Sequence, residues 1–295
     1  AIEYYQGTGD QKFELDLFEY DLNKLGNILK DFNTAVVMVG YDTDTESEGS
    51  DRTFDLPDPQ NELICNVASK VKNVIVVANS GGGFNFMPWI YNVKGVIMAW
   101  YPGQEGGTAL ANILKGTVNP SGKLPMSIEK KWEDNPVHDN FFSKNGEKEI
   151  TYQEGLFYGY RGYDAQDKRP LFPFGFGLSY TTFSYSDIKA QPLGKNRLRV
   201  TFKVTNTGKR AGAEVAELYV CPLKSKVVRP VKELKGYEKV YLEKGASKTV
   251  AIDLNEDAFS YYDIETEDFV PDNGSFRILV GPSSDDLSLQ TDVNF

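Results

Sequence analysis

The residues best suited to chemistry stand together in YDTDTESEGSDRTFDLP, Tyr41 to Pro57. Asp42, Asp44, Glu46, Glu48 and Asp51 crowd this one loop with a single arginine, Arg52. Like charges within several ångströms disfavour ionisation, and partial burial adds to the effect, so a carboxyl group in such company gives up its proton reluctantly. A group in that state can donate a proton near neutral pH. Glu48 is the first candidate, because Gly49 lets the backbone turn sharply behind it and present the carboxyl outward. Glu46 is nearly as good on residue type and spacing alone. Arg52 reads as an orienter or as a partner for Asp51.

Four uses of the loop compete. It can be a solvated run of charge with no task. It can be a calcium loop, since Asp42, Asp44 and Glu46 alternate like the first ligands of an EF-hand, although Ser47 replaces the required glycine and no helix pair flanks it. The neighbouring NSGGGFNF invites a phosphate-site reading, but it lacks the G-x-G-x-x-G spacing, and a tight crossover needing positive φ suits it better. The fourth use is acid catalysis of the kind glycosidic bond cleavage needs, in which one carboxyl protonates the leaving oxygen and a second attacks or activates water.

The elements around the loop say where it sits. Leu22, Leu25, Ile28, Leu29 and Phe32 recur at helical spacing before TAVVMVG, a continuous apolar strand. Asp58 is placed to cap a helix with Pro59 in its first turn and Leu63, Ile64, Val67, Ala68 and Val71 on one face. NVIVVAN and GVIMAWY are further apolar runs, and TALANILKG is a helix stopped by Gly116. Apolar strands alternating with helices predict an α/β fold with a mostly parallel sheet sandwiched by helices. Ligands bind at the carboxyl edge of such sheets, where the acidic loop, NSGGGFNF and PGQEGG all emerge.

Past Phe183 the period becomes two. RLRVTFKV alternates at Leu198, Val200, Phe202 and Val204, and AEVAELYV, KVYL, KTVAIDL and SFRILVG follow between turn signals, which predicts an all-β sandwich of fibronectin type III-like form. The organisation expected is an α/β domain over 1–128, an aromatic-rich linker over 129–182 packed rather than loose, and the sandwich over 183–295. The opening AIEYYQG has strand propensity without a starting signal, as if the α/β domain lacked its first strands.

Bulk properties narrow the partners. With 295 residues, two domains can each bury a core. A net charge of −10 and the lack of a basic, aromatic-interleaved patch argue against nucleic acid, and no apolar run of ~20 residues argues for a membrane span. Cys65 and Cys221 read as buried free thiols, with no disulfide framework or cysteine-rich zinc site. No cofactor and no metal are expected. No signal-peptide profile is visible, so the expected location is cytoplasmic. His138 reads as a surface or interface residue, Trp100 and Tyr101 as core at a strand end, Arg161 as a pin through Glu154 or Asp164, and Gly106 and Gly107 as aids to helix–strand packing.

SEGSDRTFDLP, WYPGQEGGTALANILKGTVNPSGKLPMSI, TYQEGLFYGYRGYD, LFPFGFGLSYTTF, NTGKRAGAEVAELYV and ELKGYEKVYLEKG occur in one order. Together they resemble the C-terminal portion of β-glucosidases of glycoside hydrolase family 3 over nearly the whole chain. The resemblance implies that Glu48 matches the acid/base glutamate of the E-G-x-D-R stretch, with Ser50, Asp51 and Arg52 of that stretch at the substrate. It implies retaining, exo-acting hydrolysis of terminal β-D-glucosyl residues, with two carboxyl groups ~5 Å apart. The partner it implies is a (β/α)8 barrel carrying an aspartate nucleophile. A barrel needs ~200 residues or more and has no room before Tyr41, so the barrel belongs to a missing segment or another chain. Ser50 departs from the aromatic that many relatives use to stack on the sugar, leaving the aglycone open. A β-xylosidase or other β-glycosidase, or a noncatalytic carbohydrate-binding piece, are the competing expectations.

Overall fold

The computed structural model describes residues 22–49, 51–142 and 149–295, so AIEYYQG and Ser50 lie outside the described residues. The chain divides into two compact units, one of Ala1–Asn79 with Pro88–Met98 and one of Ser80–Met87 with Ala99–Phe295.

In the first unit α1 (Leu22–Leu29), β1 (Thr34–Gly40), α2 (Asp58–Ala68), β2 (Asn73–Asn79) and β3 (Gly95–Met98) follow in order. β2 is central, paired in parallel with β1 from Thr34↔Asn73 to Gly40↔Asn79 and with β3 from Ile75↔Gly95 to Ala78↔Met98. Parallel neighbours need a crossover, and α2 supplies it between β1 and β2, burying Ile64 and Val67. The α/β expectation therefore holds.

Several local readings change. Asp58 is the first helical residue rather than the cap; Pro57 holds that position, and the carboxylate serves as negative charge at the positive end of the helix dipole. β2 is apolar between its terminal asparagines and buries Val74, Val76, Val77 and Ala78 completely, whereas β1, at the edge among the described strands, buries Val37 and Val39 and exposes Val36 and Met38. Ile28 and Phe32 are exposed as well, so only part of the α1 pattern is core. The strand read through GVIMAWY stops at Met98. Trp100 turns into the left-handed region with φ 54°, and Tyr101 is exposed, so neither is a core strand end.

The second unit holds α3 (Gly106–Leu114), α4 (His138–Phe141), α5 (Gly159–Ala165) and the strands β4 (Phe183–Gly194), β5 (Arg197–Asn206), β6 (Gly212–Pro222), β7 (Glu233–Leu242), β8 (Ser247–Leu254), β9 (Ser260–Asp263), β10 (Asp268–Pro271), β11 (Ser275–Gly281) and β12 (Leu289–Asn294). One antiparallel sheet has the order β12-β11-β6-β7 and the other β4-β5-β8, with β9 and β10 as a separate hairpin. The alternating Leu198, Val200, Phe202 and Val204 of β5 are all core, facing Leu218 and Val220 of β6 and Phe276, Ile278 and Val280 of β11. β4 escaped the period-two reading because its register slips between Ser186 and Lys189, at Asp187 with φ 59°.

The described residues between α3 and the sandwich, 115–142 and 149–182, are packed. Ile128 bridges Phe172, and Leu124 exchanges backbone bonds with Phe176 and Gly175. Aromatic rings continue the contact, from Phe86 on Phe172 to Tyr160 on Phe174 and Tyr219. Lys232 reaches both oxygens of Asp164 at 2.6 Å. Arg161 does pin this segment, but through Glu233 at 3.8 Å instead of Glu154 or Asp164, with Tyr158 and Tyr160 beside its guanidinium. Both cysteines are free and half-buried.

Candidate functional site

The acidic loop is held at its stem. The Gln60 side chain, in the first turns of α2, accepts from the Gly40 N–H and donates to the Gly40 carbonyl, both at 2.8 Å, so the end of β1 and the start of α2 are closed on each other. Tyr41 follows, buried, with its N–H on the Asn79 carbonyl at 3.1 Å and its hydroxyl donating to the Asp55 carbonyl at 3.1 Å. Its phenol is pushed up to about 12, chiefly by burial, and so remains a neutral donor.

The loop then folds on itself. Asp42 accepts from the Thr45 hydroxyl at 2.7 Å and from the Asp44 and Thr45 N–H groups at 3.1 and 3.0 Å, the geometry of a side chain closing its own turn. Those bonds, the Thr45 hydroxyl foremost, hold its carboxyl below the usual carboxylate range. Arg52 donates through Nε to Glu46 at 2.7 Å and through Nη1 to the Thr53 carbonyl at 3.0 Å, while its guanidinium lies 4.3 Å from the Tyr41 ring centre. A guanidinium that stacks and forks at once ties the two ends of the loop.

Of the residues singled out in the sequence, the structure joins Arg52 to Glu46 and leaves Asp51 exposed, so the expected Arg52–Asp51 partnership gives way to Arg52–Glu46. Glu48 stands exposed on a turn, and Gly49 behind it takes φ 77° with nothing within 4 Å of where a Cβ would be. The crowd of carboxylates thus resolves into fixtures: Asp42 closes a turn and Glu46 belongs to an ion pair. Mutual repulsion is not what the loop is built around. A carboxyl in an ion pair is a poor proton donor, because the opposite charge favours its ionised form. Among the loop's glutamates, Glu48 is the one left outside that ion pair.

The other carboxyl-edge loops are built for packing. Phe84 and Phe86 are fully buried and stacked with centroids 4.2 Å apart. None of Gly81, Gly82 and Gly83 adopts a positive φ, contrary to the crossover reading; at Gly83 the need is close approach, since a Cβ would lie 3.2 Å from Ile128. Gly106 is similarly closed in by Pro102 instead of by a strand. His138 meets Asp139 through Nδ1 at 3.0 Å and lies edge-on to Trp132.

Two acidic features escaped the sequence reading. A cavity of about 720 Å³ opens inside the second unit, with Glu129, Asn135, Asn140, Tyr152, Glu154 and Tyr158 in its wall. The segment that builds it has no period to betray it. On β6, Glu214 and Glu217 are buried; Lys123 pairs with Glu214 at 2.9 Å, and Tyr219 donates to Glu217 at 2.5 Å. Burial pushes the Glu217 carboxyl up to about 7.

The parallel α/β unit with a charged loop at its carboxyl edge, followed by a seven-stranded antiparallel sandwich, defines an enzyme-type module joined to a fibronectin-like one. Residues 17–180 match the family described as "Glycosyl hydrolase family 3 C-terminal domain", and residues 214–284 match "Fibronectin type III-like domain". The chain belongs to glycoside hydrolase family 3. It is 45% identical over 276 residues to a thermostable beta-glucosidase B of Acetivibrio thermocellus, covering 92% of this chain and 36% of that protein. It is 42% identical over 260 residues to an exo-alpha-(1->6)-L-arabinopyranosidase of Bifidobacterium longum, covering 88% and 34%. Among solved structures, the Bifidobacterium adolescentis GH3 beta-glucosidase superposes with a TM-score of 0.91 at 39% identity, covering 96% of this chain and 42% of that one. Beta-glucosidase from Kluyveromyces marxianus in complex with glucose gives 0.86 at 40%, covering 92% and 33%. The chain spans about a third of the length of the curated relatives it matches.

Proposed function

We propose that this chain supplies the general acid/base of a retaining, exo-acting β-glucosidase whose nucleophile, an aspartate, sits on a (β/α)8 barrel outside the chain. Glu48 carries the reading: an exposed glutamate on a loop locked from beneath by Tyr41, Arg52 and Glu46, available to a second wall. In the first displacement Glu48 hands its proton to the departing oxygen as the C–O bond breaks and the aspartate bonds to the anomeric carbon. In the second, its carboxylate takes a proton from the water that displaces the aspartate, which restores both groups. A retaining pair stands ~5 Å apart.

The test is Glu48→Gln in the enzyme assembled with its barrel. Losing a positioned acid/base lowers kcat by about 10²–10⁴ on an alkyl β-glucoside. An aryl glucoside with a good leaving group is cleaved to the glycosyl-enzyme with much less loss, because its oxygen needs no proton. Equal loss of kcat/KM on both substrates, or none, refutes the role, whereas kcat on the aryl glucoside falls as well because hydrolysis of the glycosyl-enzyme loses its base. The arabinopyranosidase among the relatives supports a second reading, that this portion serves another glycoside equally well. Comparing kcat/KM on aryl β-D-glucoside and aryl α-L-arabinopyranoside separates the two.

A further inference from the structure

We propose that the cavity walled by Glu129, Asn135, Asn140, Tyr152, Glu154 and Tyr158 binds carbohydrate, taking a pyranose ring between tyrosines and carboxylates. The choice of sugar rests on the glycosidase reading; the cavity and its charges do not. Its volume of about 720 Å³ lies in the range of small-molecule sites.

Two carboxylates in its wall have few hydrogen-bond donors among the described residues. Glu129 is only 6% exposed; Oε1 accepts from Asn135 Nδ2 at 2.9 Å, and Oε2 faces the Tyr163 hydroxyl at 3.5 Å, the outer limit of a hydrogen bond. Burial first, and then Glu129 beside it, keep that phenol protonated. Glu154 accepts from Asn140 Nδ2. Among the described residues, Lys131 pairs with Asp134 and Arg161 with Glu233, and neither Glu129 nor Glu154 is in an ion pair. An ionised carboxylate has about four acceptor positions, and one amide leaves most of them open.

What fills them must donate several hydrogen bonds and present an apolar face. Tyr152 and Tyr158 are exposed at 79% and 55%, offering ring surfaces beside Phe141 in the same wall. A pyranose meets both needs: adjacent hydroxyls donate to Glu129 and Glu154 and accept from the second N–H of Asn135 and Asn140, while the C–H face lies on a tyrosine. A bare cation fits worse, because among the described residues no group of three or more His, Cys, Asp or Glu is placed to hold one. An organic ammonium is the competitor, since rings and carboxylates also suit it.

The experiment titrates methyl β-D-glucoside, cellobiose and tetramethylammonium into the 295-residue chain, following tyrosine fluorescence and amide chemical shifts. The expected result is saturable glucoside binding in the millimolar range, weakened about tenfold by Tyr152→Ala and by Glu129→Gln. Tyr152 is so exposed that its replacement leaves the fold intact, and it carries the test if the Glu129 variant fails to fold. Three results overturn the proposal: no saturable glucoside binding, binding unchanged in Tyr152→Ala, or tetramethylammonium binding more tightly than the glucoside. No bond is cleaved here, so failure leaves the acid/base reading of Glu48 standing, and an unaltered Glu48→Gln enzyme leaves this site standing.

Discussion

Arg52 shows how one side chain can fix the shape of a loop. Its Nε bond to Glu46, its Nη1 bonds to Tyr41 Oη at 3.3 Å and the Thr53 carbonyl, and its stacking on Tyr41 converge on a planar, forked cation. Lysine carries the charge but has neither the plane nor the fork. Arg52→Lys is therefore expected to cost about 1–2 kcal/mol, read from the denaturation midpoint, and to speed amide exchange between residues 42 and 55. If Glu48 acts as proposed, Arg52→Lys in the assembled enzyme is expected to lower kcat with little change in KM, because a displaced acid harms the transition state more than substrate binding. A variant with parental exchange in this loop would show that the clasp is ornamental. Glu46, almost as good a candidate acid by type and spacing, is spent on that clasp. The pairing depends on how the loop folds, which is why spacing could not choose between it and Glu48.

At the scale of elements, the loop's shape is set by backbone as much as by bonds. Gly49 has φ 77° and nothing within 4 Å of where a Cβ would sit, so the first cost of a side chain there is backbone strain. Gly49→Val is expected to destabilise by about 1–2 kcal/mol and to turn Glu48 away, dropping kcat while the sandwich melts as before. The same reasoning explains what could be read beforehand. β5 was legible because its period of two is unbroken and β2 because its apolar run is continuous, so each side chain's surroundings follow from its position. β1 was half misread, since an apolar run announces a buried strand without saying that one face of an edge strand is left open. β4 was missed at its bulge, and the cavity around Glu129 was invisible because a packed segment without a period positions its residues only through tertiary contacts. Among those contacts, Lys232→Ala would strand Asp164, which burial already pushes up against the pull of Lys232, at an expected cost of about 2 kcal/mol in thermal denaturation.

For the whole molecule, the buried acids of β6 make stability depend on pH in an unusual direction. Glu217 sits at about 7 in the fold against an ordinary 4.5, because burial outweighs the Tyr219 hydroxyl and the Lys123 charge that favour its ionised form. The native state therefore holds this proton more tightly than the unfolded chain does. Stability from this group is complete below about 4.5 and is lost as pH rises towards about 7, after which the fold bears the whole cost of a buried carboxylate. Carboxylates stabilised by partners, such as Asp292 against Arg277 and Asp253 against Arg199, act oppositely, but their folded values lie below the normal carboxylate range, so their effect is complete before this window opens. Glu217→Gln keeps an acceptor for Tyr219 and removes the charge. The variant should lose the downward slope between about pH 5 and pH 7 and exceed the parent by about 1–3 kcal/mol at pH 8, with the two curves converging near pH 5. Parallel curves across that range, measured by chemical denaturation at matched ionic strength, would place the proton elsewhere.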